Sequence, residues 1–134
     1  MTDLTVTPAN VDAGTDGRIG HGIAGEAIDA GEVIYLDRTT NTYLLADADA
    51  AASAKAAGVA VSSAAAGQVV AFQSDGTYTA GATTVQGTPY FVSTGAGGIA
   101  PFADLGSGDY VTLFGFGVTG NKIKLAINAT GLTI

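Results

Sequence analysis

The amino-acid sequence predicts a mainly β protein, a small β-sandwich or barrel-like domain with one short alanine-rich helix and a flexible N-terminal arm. Short β-branched and aromatic runs recur every ~8–12 residues with turn residues between them, which is typical of sandwiches and barrels. One block, residues 47–57, is rich in alanine and is followed by Gly58, a residue that suits a helix C-terminus. The first residues hold few apolar side chains between Thr, Asp, Gly and Asn.

Residues 1–22 are predicted to form the arm, and residues 23–134 a single β-rich domain. Leu4 and Val6 alternate with threonines, a pattern that suits a β-strand added to a partner's sheet edge. Residues 12–17 hold too little apolar content to fold alone. We therefore expect Leu4 and Val6 to make the binding contacts of an arm that orders on its partner. The alternative is a plain edge strand of the domain.

The domain begins with a hairpin, the alanine-rich helix and a further strand. Its first two apolar runs, Ala27-Ile28 and Val33 to Leu36, are separated by the turn of residues 29–32, and the polar turn of residues 37–42 leads to a further apolar run, Tyr43 to Ala46. Asp47 or Asp49 is available to cap the helix at its N-terminus. The chain then returns to a strand at Val59.

The second half of the chain is predicted to consist of strands and turns. The predicted strands cover residues 59–63, 69–73, 77–79, 89–93, 110–118 and 122–127. Asp75-Gly76 is a strong hairpin signal because this pair readily adopts positive φ. Gly115 and Gly117 lie on one face of their strand, which predicts a neighbour packed close to that face.

Charge and composition argue against several classes of partner. The formal net charge is −7, the sequence pI is near 4.1, and the five basic residues form no cluster. Binding of nucleic acid needs clustered Lys and Arg, so we expect none. The sequence holds no cysteine, no secretory signal and no apolar run near the ~20 residues of a membrane span. We expect a protein made in a cytoplasm, without a membrane partner.

The residues that could carry chemistry have simpler structural interpretations. His21 is the sole histidine and has no nucleophile motif, and Asp47 and Asp49 suit helix capping better than a cation site. Glu26 and Glu32 flank one turn as solvated charges, and Lys55 is a surface residue. Residues 95–98 form a glycine turn that lacks the lysine of a phosphate loop. We therefore predict no catalytic residue, no metal site and no cofactor, and thus no enzyme.

Four stretches carry a resemblance to a known family. They are residues 25–60, residues 64–69 (Ala-Ala-Ala-Gly-Gln-Val), residues 97–101 (Gly-Gly-Ile-Ala-Pro) and residues 108–112 (Gly-Asp-Tyr-Val-Thr). In order and spacing they resemble the head-decoration, or capsid cement, proteins of tailed bacteriophages. The resemblance implies a structural virion protein that binds the outside of the expanded capsid and stabilises the shell. The implied partners are the major capsid protein and further copies of the chain, most often in a trimer.

A second class of function stays open beside it. A β-rich binding or adhesion module, such as a piece of a phage fibre or a bacterial surface domain, would share the strand pattern and the lack of cysteine. Such a module is expected to show a carbohydrate or receptor site with exposed aromatic side chains. Tryptophan is absent from the chain, which disfavours this alternative mildly.

Overall fold

The structure, a computed structural model, describes residues 3–134 and consists of two antiparallel sheets. The strands, numbered in chain order, are β1 (Val11–Asp12), β2 (Ile19–Ile23), β3 (Val33–Asp37), β4 (Thr42–Leu45), β5 (Gly58–Ala60), β6 (Val69–Gln73), β7 (Thr77–Ala80), β8 (Pro89–Val92), β9 (Ile99–Pro101), β10 (Tyr110–Gly117) and β11 (Lys122–Thr133). Single 3₁₀ turns occur at Pro8–Asn10 and Phe102–Asp104. The predicted mainly β, sandwich- or barrel-like class is confirmed.

The two sheets differ in curvature. The larger has the order β1-β7-β11-β10-β8-β9, and the smaller has the order β2-β6-β5-β3-β4. The smaller sheet curls until its two edges meet: Ala24 bridges Tyr43, and the Gly25 N–H donates to the Tyr43 carbonyl (2.8 Å). Because this contact joins β2 to β4, the smaller sheet forms a half-barrel.

Two hydrophobic clusters fill the molecule, one between the sheets and one inside the half-barrel. Neighbouring residues of one strand serve both: Val33 packs in the first cluster and Ile34 in the second. The same holds for Val59 and Ala60 on β5. Strands buried on both faces read as continuous apolar runs instead of alternating ones. Alanine is the most frequent residue among the buried apolar side chains.

The alanine-rich block does not form the predicted helix. Residues 49–55 form bends and turns, with one helical hydrogen bond from the Ala54 N–H to the Ala50 carbonyl (3.0 Å). The Ala48 N–H donates to the Ser93 carbonyl (2.9 Å), and the Ala48 carbonyl accepts from the Tyr110 N–H (2.9 Å). These bonds to neighbouring strands replace those that a helix would make within itself. The Thr112 hydroxyl also donates to the Ala54 carbonyl (2.6 Å) and fixes the loop on β10.

The predicted N-terminal arm is part of both sheets over the residues that the structure describes; Met1 and Thr2 lie outside them. β1 pairs with β7, and β2 pairs with β6 over five consecutive residues. Before β1, the Leu4 N–H donates to the Ile99 carbonyl (2.9 Å), and the Thr7 N–H donates to the Gly81 carbonyl (2.9 Å). The segment therefore lies within the domain, as the edge-strand alternative expected.

A buried glutamine explains how the glycine-rich loop before β2 is held. The Gln73 amide oxygen accepts from the Gly14 N–H (2.9 Å), and its nitrogen donates to the carbonyls of Asp75 (2.7 Å) and Thr77 (3.2 Å). Gln73 is fully buried. Because β6 and β7 belong to different sheets, this one side chain ties the loop to the corner between the sheets.

The glycines of β10 meet the predicted close neighbours. A Cβ added to Gly115 would lie 2.9 Å from the Ile123 side chain, and one on Gly117 would contact the Val85 carbonyl. A bulge between Leu113 and Gly115 breaks the simple alternation of this strand. Phe114 is therefore fully buried whereas Phe116 is 40% exposed.

Candidate functional site

Leu4 and Val6, the predicted binding residues, are partly buried against the protein's own core cluster. A Cβ on Gly31 would lie 2.5 Å from the Val6 side chain, so this contact is close. Their apolar surface is therefore used within the domain, which leaves less of it for a partner. Sequence alternation alone could not distinguish an internal strand-like segment from an added one.

The acidic residues singled out from the sequence hold turns together. Asp47 accepts hydrogen bonds from the Asp49 N–H (3.1 Å) and the Ser53 hydroxyl (2.7 Å), so it orders the alanine-rich loop without capping a helix. Glu26 accepts from the Leu45 N–H (3.0 Å), and Glu32 accepts from the Asp29 N–H (2.7 Å). Burial, together with the nearby charges of Asp29 and Glu26, raises the pKa of the Glu32 carboxyl.

The glycine turn of residues 95–98 is closed by a side chain from the N-terminal segment. The Ser93 hydroxyl donates to the Asp3 carboxylate (2.7 Å), and the Gly95 N–H donates to the Ser93 oxygen (3.1 Å). A carboxylate already occupies the space beside this turn. The arrangement stabilises a turn and does not form a phosphate site.

Within residues 3–134, no three His, Cys, Asp or Glu side chains cluster closely enough to hold a metal ion. In the same part of the chain, no helix has the length and apolar character to cross a membrane. Two surfaces are distinctive: an exposed apolar strip and a groove lined by tyrosines and cations.

The first surface, called here the outer strip, consists of Ile19, His21, Ile23 and Val69 on the outer face of β2 and β6. Ile23 and Val69 are directly paired across the two strands, with exposed fractions of 43% and 60%. Ile19 is 40% exposed, and His21 is exposed between the two isoleucines. Neither strand carries a carboxylate. The strip is therefore a regular apolar surface without acids on a strongly acidic protein.

Glycines explain why the isoleucines of β2 point outward. Gly20 and Gly22 alternate with the exposed residues, and their inner sides lie against the rings of Phe72 and Tyr43. A Cβ on Gly20 would come within 2.7 Å of the Phe72 ring. The two rings, with centroids 4.8 Å apart, fill the space that inward side chains of β2 would occupy. Larger side chains are therefore possible only on the solvent side.

The second surface, called here the β3–β4 groove, lies between the β3–β4 hairpin and the alanine-rich loop. Its volume is about 530 Å³. Tyr35, Asp37, Arg38 and Tyr43 line it from the hairpin, and Lys55 lines it from the loop. The sequence analysis assigned Lys55 to the surface, which the structure confirms, but did not bring it together with Arg38. The turn of residues 38–41 and the unpredicted loop geometry create this proximity.

The sequence analysis did not identify the outer strip. The pattern Ile19-Gly20-His21-Gly22-Ile23 alternates large and minimal side chains with period two, which is a strand signal. It fell inside the segment interpreted as an arm because the preceding residues are polar and rich in glycine. No protein-family model matches this chain, and no curated protein matches it either.

Proposed function

We propose that this chain is a structural virion protein that binds the outside of an expanded phage capsid and stabilises the shell, without turnover. The observation that carries the proposal is the outer strip. Exposed apolar surface that is continuous and regular marks sites of protein–protein contact more often than scattered apolar residues do. The resemblance of four stretches to capsid cement proteins names the partner, the major capsid protein.

The strip suits a protein surface better than other partners. Ile23 and Val69 are β-branched and stand in register on a paired ladder, so they lose little side-chain entropy on contact. Burial of an exposed apolar side chain contributes up to about 1.5–3 kcal/mol. The absence of carboxylates means that binding does not bury an unpaired negative charge, which would oppose contact strongly.

Net charge supports an outer position on the shell. With a charge of −7 the protein is repelled by the phosphates of packaged DNA, so the outer surface is the favourable place. We propose that no nucleic acid is bound. An assembly of several copies, most often three by the resemblance, would act multivalently on a repeating lattice, where modest affinity of each copy still gives stable binding.

The experiment that tests this function is co-sedimentation of the purified protein with empty phage shells in the unexpanded and the expanded state. We expect saturable binding to expanded shells, and a higher temperature of disruption for decorated shells than for bare ones. Equal binding to both states, or decoration without any gain in shell stability, would contradict a cementing role. Analytical ultracentrifugation of the free protein tests the oligomer: a monomer of 13.1 kDa would contradict a trimer in solution.

A further inference from the structure

The β3–β4 groove is lined by cationic side chains, and none of them belongs to the outer strip. The chain has five Lys and Arg residues, and two of them, Arg38 and Lys55, line this groove. Both are exposed, and neither forms an ion pair with the residues that the structure describes. Asp37 is the one carboxylate among the lining residues, so the two cations leave the groove with a positive lining on a protein that has twelve Asp and Glu residues.

Two tyrosine rings give the groove rigid apolar walls. Tyr43 packs on Phe72 and against Gly22, and Tyr35 packs against the core cluster between the sheets. Both are only partly buried, so part of each side chain remains accessible. Because each ring is packed against the protein on one side and accessible on the other, a ligand can contact it at small cost in conformational entropy. The groove volume lies within the ~300–1,000 Å³ range of small-molecule sites.

Asp37 and Tyr35 supply further hydrogen-bonding groups in the groove. One oxygen of Asp37 accepts from the Thr39 N–H (3.0 Å), which leaves the other oxygen as an acceptor for a ligand hydroxyl. Burial, and then the charges of Asp37, Asp47 and Glu26, raise the pKa of the Tyr35 hydroxyl, so this group stays protonated and can donate. The same acidic groups would repel a second carboxylate beside Tyr35.

We propose that the β3–β4 groove binds a saccharide that carries a carboxylate, with Arg38 and Lys55 on the carboxylate, the tyrosines against the sugar ring and Asp37 on its hydroxyls. A ligand with one anionic group, several hydroxyls and an apolar ring face satisfies all of these groups at once. A purely acidic peptide would satisfy the cations but would bring further carboxylates near Asp37, Asp47 and Glu26, whose charges act on Tyr35. This site is separate from the outer strip and does not depend on the shell-binding proposal.

The test is a titration of isotope-labelled protein, followed by NMR, with four probes: galacturonate, its neutral counterpart galactose, hexaglutamate and inorganic phosphate. We expect saturable shifts of the amides of residues 35–43 and 52–57 with galacturonate, which carries a single carboxylate, weaker effects with galactose, and binding that weakens as salt rises. Equal affinity for the neutral sugar, tighter binding of hexaglutamate or phosphate, or no shifts in these residues would overturn the proposal.

Paired variants distinguish the groove from general surface charge. In Arg38→Gln/Lys55→Gln we expect the affinity for galacturonate to fall by about tenfold or more, since charge-assisted hydrogen bonds are lost. Lys122→Gln/Lys124→Gln removes the same net charge from exposed positions of β11 and should leave the affinity unchanged. An equal loss in both double variants would show non-specific attraction and overturn the site. Unfolding curves of both variants confirm that each is folded.

Discussion

At the scale of single residues, Tyr78 is a core residue whose buried hydroxyl makes no hydrogen bond within the described part of the chain. Its ring is fully buried and meets Phe114 edge to face, with centroids 6.1 Å apart. Burial therefore raises the pKa of the Tyr78 hydroxyl far above its ordinary value. A buried polar group without a partner lowers stability.

The raised pKa of Tyr78 predicts a specific loss of stability in alkali. The folded state keeps the hydroxyl protonated above pH ~10, where the unfolded chain releases the proton. Below pH ~10 the group is protonated in both states and the free energy of unfolding does not depend on it; above pH ~10 the free energy of unfolding falls, by up to about 1.4 kcal/mol per pH unit. Urea unfolding between pH 7 and 11 measures this slope.

Tyr78→Phe is the matched control for that slope, because it removes the hydroxyl and keeps the ring. We expect the variant to be as stable as the natural protein at pH 7 or more stable by about 1 kcal/mol, and to lose less stability above pH 10. Parallel pH profiles for the two proteins would show that the Tyr78 hydroxyl titrates normally.

At the scale of elements, β2 depends on glycine at its inner positions. Gly20→Ala would place a methyl group within 2.7 Å of the Phe72 ring, which is itself packed on Tyr43. We expect a loss of about 1–3 kcal/mol in the free energy of unfolding, because overpacking forces neighbouring side chains to shift. Gly120→Ala is the control: nothing lies within 4 Å of its added Cβ, so it should be neutral or slightly stabilising. Equal effects of the two substitutions would contradict close packing of β2 on the rings.

Local sequence patterns predicted most of the strands from β3 onward. The β3–β4 hairpin and the strands around Asp75-Gly76 are encoded by short apolar runs and turn residues, so residues near each other in sequence suffice. The alanine-rich loop is different. Its conformation depends on bonds to Ser93 and Thr112, which are distant in sequence, and such contacts override helix propensity. The strand β9, which pairs with the nearby β8, was not predicted because it is only three residues long and ends in a proline.

The two candidate surfaces were less predictable than the fold. The outer strip requires Val69 to pair with Ile23, forty-six positions apart in the sequence. The groove requires Arg38 of the hairpin and Lys55 of the alanine-rich loop to line the same cavity, and the shape of that loop is set by tertiary contacts. Single residues of both surfaces are visible in the sequence, but their proximity is not.

At the scale of the whole molecule, the N-terminal segment is expected to stabilise the fold. Deletion of residues 1–17 would remove the bonds of Leu4 to Ile99 and of Thr7 to Gly81, and would leave the amide oxygen of Gln73 without its Gly14 partner. A buried group that loses its partner costs about 1–3 kcal/mol. We therefore expect the midpoint of urea unfolding to fall clearly. An unchanged midpoint would support a flexible arm instead.

A smaller change isolates the buried glutamine. Gln73→Leu keeps the side-chain volume but removes the bonds to Gly14, Asp75 and Thr77. We expect a loss of about 1–3 kcal/mol in the free energy of unfolding. Gln68→Leu removes a single bond to the Ala65 N–H at an exposed position and should have little effect. Similar losses in both variants would argue against a special role for the corner between the sheets.

The central claim is that the outer strip binds the shell, and the most direct measurement is the occupancy of expanded shells by Ile23→Thr/Val69→Thr. Threonine keeps β-branching and strand propensity while it removes apolar surface. Burial of each apolar side chain at the interface contributes up to about 1.5–3 kcal/mol to binding, and threonine reduces this contribution at both sites. We therefore expect the affinity for shells to fall by more than about tenfold with the fold unchanged. The control Val85→Thr/Leu132→Thr alters two side chains that are 63% and 69% exposed elsewhere, and it should bind as the natural protein does. Normal occupancy by the strip variant, or an equal loss in the control, would contradict the claim.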